Sequence, residues 1–170
     1  MKWLLILAAA LPLIATEPNL KRAAFRPVER AMDNRLLTLT NDDQVEILGT
    51  TRGLYLDGYG AVFTTEVSLI LTPSLSPFRQ RMPEQDIKRT HDRKLSRVPQ
   101  VRQAMKEMMA AAAKALDGIP PREQIVLSMR FLYQSWEDTA GLPSQIVMKA
   151  ERASLLKKPV SDSAIQTEEY

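Results

Sequence analysis

With 170 residues, 45% of them apolar, the chain is long enough to bury the core of one domain. It has no cysteine and a single histidine, His91. That excludes disulfides, thiol nucleophiles and cysteine-ligated metal, and any zinc site or Ser-His-Asp triad would hang on one imidazole. The net charge of +3 is too small to point to a nucleic-acid partner by itself.

Residues 1–16, MKWLLILAAALPLIAT, place one lysine before an apolar run from Trp3 to Leu11, then Pro12 and three more apolar residues. As a helix, Trp3 to Ala15 would reach only about 20 Å. That falls short of the roughly 30 Å hydrocarbon core of a bilayer. A basic start, an apolar middle and a small residue at the end describe a secretory signal peptide. Export to the periplasm or beyond is therefore expected, with cleavage after Ala15 and an uncleaved anchor as the competing reading. Residues 17–157 are then a single α+β domain, and 158–170 a disordered C-terminal tail.

In Glu17 to Thr40, the apolar residues Phe25, Val28, Met32, Leu36 and Leu39 recur every three or four positions, which predicts a helix. Pro27 is tolerated if it lies in the first turn, and Arg30, Asp33, Asn34 and Arg35 are expected to face water. From Gln44 to Leu71 the period changes to two. Ala61, Phe63, Thr65, Val67, Leu69 and Leu71 share one face, the mark of a half-buried strand. Asp57 and Gly58 tolerate the positive φ of a tight turn, so the stretch reads as a hairpin. Gly49 and Gly53 interrupt its first strand, where a bend or bulge is expected.

The loop after Leu71 carries Pro73, Pro77 and Pro83. A second helical stripe then runs through Ile87, His91, Leu95, Val98, Val101, Met105, Met108, Ala112 and Leu116. Pro99 predicts a kink or a fresh helix start, with Val98 to Leu116 packed on the sheet and Glu84 to Arg97 overhanging it. Beyond Pro120-Pro121, Ile125 to Tyr133 alternate as a third strand, and Gln145 to Ala150 form a fourth after a Gly141/Pro143 loop. A lone hairpin is marginal, so two hairpins need helical cover to bury both apolar faces. The expected fold is a two-layer α+β sandwich in αββαββ order, a four-stranded antiparallel sheet with helices on one face.

Two groups of residues are candidate sites. Asp57 and Tyr59 lie at one hairpin tip, and Trp136, Glu137 and Asp138 in the other. If the hairpins lie side by side, both tips reach one end of the sheet and make a sugar, peptide or Ca²⁺ contact. Paired carboxylates there would suit a hydrolase acting on a sugar or peptide. The plainer reading makes Asp57 and Asp138 turn formers and Trp136 and Tyr59 rim cover. The second group is a basic arm with Lys88, Arg89, Arg93, Lys94 and Arg97, suited to an anionic membrane surface or an acidic protein, or simply a solvated helix face. Only Phe78 is near it for base stacking, so no nucleic-acid partner is expected.

Met105, Met108 and Met109 beside Ala110 to Ala113 read as core or as an adaptable binding groove. No glycine-rich phosphate loop follows a strand and no nucleophile elbow is present, which weighs against an enzyme. With no cysteine and one histidine, neither a cofactor nor a metal is expected. Together these features favour an exported, non-catalytic module that binds a protein or a cell-envelope component. The carboxylate-dependent hydrolase is the alternative.

Overall fold

The structure, a computed structural model, describes residues 22–39, 44–72, 81–157 and 159–170. The expected signal peptide and the Pro73–Gln80 loop lie outside them. Among the described residues no helix is long and apolar enough to cross a membrane.

The chain is α+β. In order it forms α1 (Arg22–Leu37), β1 (Glu46–Leu56), β2 (Gly60–Ser68), α2 (Glu84–Ala115), β3 (Gln124–Phe131), β4 (Gln145–Glu151), a short α3 (Arg152–Leu155), a 3-10 turn (Asp162–Ala164) and β5 (Gln166–Glu169). The sheet has five strands in the order β1-β2-β3-β4-β5. β1 and β2 are an antiparallel hairpin with Leu56 opposite Gly60, and β3 runs antiparallel to β4. β2 and β3 are parallel, with Gly60 opposite Gln124 and Val67 opposite Phe131.

The all-antiparallel, four-stranded sheet expected from sequence is therefore corrected to a mixed sheet of five. The cause is the crossover. α2 is about 48 Å long and returns the chain along the sheet, so β3 starts at the end where β2 starts. The fifth strand comes from the C-terminal tail expected to be disordered. β5 pairs with β4 and is held to α2 by Arg102–Glu169 at 2.5 Å, while just before it Ile165 is buried and Asp162 of the 3-10 turn pairs with Lys106 at 2.7 Å. Edge hydrogen bonds and ion pairs order a segment with little apolar content of its own.

Alternation within the strands builds the core. Phe63, Val67, Ile125, Leu127, Met129, Ile146 and Met148 point to one face and are buried with Phe25, Met32 and Leu36 of α1 and Val101, Met105 and Met109 of α2. Phe25 and Phe63 stack at a tilt, with ring centroids 5.7 Å apart. On the opposite face Leu54 and Leu56 remain half exposed, and Glu66–Arg130 (3.5 Å) and Lys149–Glu168 (3.7 Å) pair across strands.

β1 is an edge strand, and α1 shields it in a way the sequence did not suggest. Asp33, expected in water, accepts from the backbone N–H of Thr51 at 2.9 Å and from its hydroxyl at 2.6 Å. Glu29, buried, accepts from the N–H of Gly53 at 2.7 Å and from Arg22. Two carboxylates thus occupy amides that would otherwise template a further strand. Burial opposes ionisation of Glu29, but the bonds from Arg22 and Gly53 outweigh it and hold its carboxyl below the usual range. Register shifts flank Gly49, as the glycine suggested. Gly53 stays in register instead, and a Cβ there would lie 2.6 Å from the Phe63 ring and 2.7 Å from Phe25.

α2 runs unbroken through Pro99. Its first half does not overhang, because Thr90, Lys94, Arg97 and Val98 are all buried while Leu95 is exposed. At its far end Arg152 donates to the carbonyls of Ala113 and Ile119, satisfying acceptors that a helix terminus leaves open.

Candidate functional site

The parallel pairing of β2 and β3 decides the fate of the hairpin-tip site. The β1–β2 turn lies beside the start of β3, where the N–H of Gln124 donates to the Tyr59 carbonyl at 2.8 Å. The β3–β4 loop leaves from the other end, so Asp57 and Tyr59 are separated from Trp136, Glu137 and Asp138 by the length of β3, roughly 25 Å. The expected convergence of the tips is corrected. Asp57 and Tyr59 are exposed. Beneath them the Tyr55 hydroxyl donates to Glu123, and burial, then that carboxylate, push its phenol up to about 12.

At the opposite end, members of the two candidate groups meet each other. Lys94 and Glu137 form an ion pair at 2.5 Å, with 0% and 1% of their side chains exposed. Thr72 donates to the other Glu137 oxygen at 3.1 Å, and the ammonium lies 3.4 Å from the Ser68 hydroxyl and 4.9 Å from the centre of the Tyr133 ring. The Tyr133 hydroxyl donates to the Pro143 carbonyl at 2.6 Å, and burial, then the charge of Glu137, raise its pKa. His91 Nδ1 is 3.0 Å from the Asp138 carbonyl, and Trp136 turns its Nε1 inward, where it finds no acceptor among the described residues. This cluster clamps the β3–β4 loop to α2. Within it Ser68, Lys94 and the Glu137 carboxylate are closed off from solvent, whereas His91 is half-buried and Asp138 exposed.

The basic arm is likewise not one exposed face. Lys88 is exposed and Arg89 pairs with Asp86 at 2.9 Å, but Arg93 is half-buried and Lys94 and Arg97 are buried. Arg97 reaches Gln100 at 3.0 Å. A solvated stripe of five cations is thereby corrected to two exposed residues, one half-buried and two buried.

A further candidate is a groove of about 390 Å³ between α1 and α2. Its floor is Val28 and Met32 of α1 with Met108 and Ala112 of α2, all buried. Its rims are rows at helical spacing: Pro27, Ala31 and Arg35 on one side, Glu107, Ala111 and Ala115 on the other. A solvated helix face would carry long polar side chains at such positions. Here four of the six are alanine or proline, so the floor stays reachable. Arg35 closes one end, donating through Nε and a terminal nitrogen to one Glu107 oxygen at 3.0 and 2.9 Å. The bonds from Arg35 and then Gln103 hold the Glu107 carboxyl below its ordinary range.

The chain matches no protein-family model, no curated protein and no solved structure.

What each region can do follows from its chemistry. The larger concavity on the open sheet face, about 910 Å³, is lined by Arg52, Thr64, Glu66, Ser128, Arg130 and Gln145 among others, groups that water already solvates. The α1–α2 groove removes little polar surface from water when filled, and its volume falls within the ~300–1,000 Å³ usual for small-ligand sites. The methionine and alanine run in the sequence contained the α2 half of it: Met108, Ala111 and Ala112 line the groove, while Met105 and Met109 are core. Pro27, Ala31 and Arg35 were missed. Nothing in a linear pattern says which face of one helix meets which face of another.

Proposed function

We propose that this chain is an exported, non-catalytic module that binds an apolar component of the cell envelope in the groove between α1 and α2. The observation that carries the reading is the groove itself, an apolar floor left open by a rim of small residues. Its volume of about 390 Å³ is on the scale of one small apolar ligand. Support for a non-catalytic role comes from the dispersal of acid–base groups. Asp57 and Asp138 sit at opposite ends of the sheet, and Glu137 is neutralised by Lys94 in the interior. Export rests on the N-terminal lysine and apolar run.

The test uses residues 17–170 and the apolar fluorophore N-phenyl-1-naphthylamine. Saturable fluorescence enhancement is expected, abolished by Ala111→Trp, which fills the groove from an exposed rim position and leaves the thermal midpoint unchanged. An enhancement that Ala111→Trp does not alter would place the apolar site elsewhere. Mass spectrometry of the exported protein should find Thr16 or a near neighbour as its first residue. Finding only full-length chain with Met1 would refute cleavage and leave the uncleaved anchor.

A further inference from the structure

We infer that the groove is built for a single straight alkyl chain ending in a carboxylate, a free fatty acid, with Arg35 receiving the acid group. This rests on the groove reading above and adds the identity of the ligand's head.

Four observations lead there. First, the groove is apolar along its length and charged at one end only, where Arg35 and Glu107 face each other across it. A ligand lying in it meets alkane-like surface for most of its length and a guanidinium at its terminus. Second, the rim row from Pro27 to Arg35 spans eight residue-to-residue rises of helix, about 12 Å. That is the scale of a medium-length alkyl chain and too short for a sterol-sized plate laid flat.

Third, the Glu107 carboxylate already occupies the position proposed for the ligand head, taking two charge-assisted hydrogen bonds from Arg35 through one oxygen. It is an internal stand-in showing that a planar carboxylate suits this guanidinium. An arginine has five N–H donors in a fork matched to such groups. Fourth, the pair is replaceable. Arg35 and Glu107 keep 35% and 46% of their side chains exposed, so Glu107 can swing into water, where Gln103 already holds its second oxygen at 3.1 Å. The interior Lys94–Glu137 pair, with 0% and 1% exposed, has no such freedom.

Isothermal titration calorimetry on residues 17–170 separates the head from the tail, with dodecanoate, dodecanol and dodecyltrimethylammonium each kept below its micelle concentration. Wild type should bind dodecanoate most tightly and dodecyltrimethylammonium least. Arg35→Gln should weaken dodecanoate about tenfold, as for the loss of one charge-assisted contact, and leave dodecanol unchanged. Glu107→Gln should tighten dodecanoate several-fold by removing the competing carboxylate, again without effect on dodecanol. Equal affinities for the three probes, or a dodecanoate affinity indifferent to both variants, would overturn the assignment of the head while leaving the groove reading intact. Failure of all three probes to bind wild type would sink both.

Discussion

The buried Lys94–Glu137 pair gives the sharpest energetic prediction. Lys94→Met keeps an unbranched side chain of similar length in a slot with 0% exposure and removes the charge. Glu137, itself 1% exposed, would be left with one hydrogen bond, from Thr72. Removing one partner of a buried pair costs about 3–5 kcal/mol, because an uncompensated charge remains in the interior. We expect about 4 kcal/mol for Lys94→Met, a large fraction of the ~5–15 kcal/mol that holds a domain together. Glu137→Gln should cost less, about 2 kcal/mol, since the amide oxygen can still accept from Lys94 while the amide nitrogen donates to the Thr72 hydroxyl, so two hydrogen bonds remain and the charge is lost. The double variant removes both charges and should cost about 3 kcal/mol, so the cycle returns a coupling of about 3 kcal/mol. Urea unfolding followed by far-UV circular dichroism measures all four. Single variants costing under about 1 kcal/mol, or a double variant equal to the sum of the singles, would refute the claim that the pair is dry and mutually dependent.

Three more predictions follow from the same geometry. Gly60→Ala should abolish folding, because a Cβ there, at φ +132°, would sit 2.0 Å from the Gln124 carbonyl oxygen in the neighbouring parallel strand; Gly58→Ala, at φ +71° with open space around it, should cost only about 1 kcal/mol. A well-folded Gly60→Ala protein would contradict the β2–β3 register. Glu29→Gln should lower stability by about 2 kcal/mol at neutral pH. Since the folded Glu29 carboxyl is held below its unfolded value, that contribution is complete above the unfolded pKa of about 4.3 and fades as the pH drops through the folded one, so the wild-type and variant curves should converge in acid. Curves that stay parallel through that range would refute it. Truncation after Val160 removes Ile165 and the Arg102–Glu169 pair and should cost about 3 kcal/mol. An unchanged urea midpoint would mean that β5 contributes nothing.

Sequence alone carried the local periods. Alternation from Ala61 and from Ile125, the Asp57-Gly58 turn and the three-to-four spacing in α1 and α2 each reflect a side chain's relation to its own backbone, which a single strand or helix settles unaided. The parallel crossover was also within reach, since one long helix between two strands returns the chain to its starting end. What sequence could not hold was every pairing between distant segments. Lys94 belonged to a basic run and Glu137 to an acidic loop, and only packing made them partners. Asp33 looked solvated until β1 presented its amides, and the C-terminal tail became a strand once β4 offered an edge. The binding groove belongs to the same class: Ala31 and Ala111 are unremarkable in their own helices, and a cavity exists only because two helices meet along those rows. Hydrophobic patterning records how much water each residue avoids, whereas charge partners, sheet edges and grooves depend on which surfaces the folded chain brings face to face.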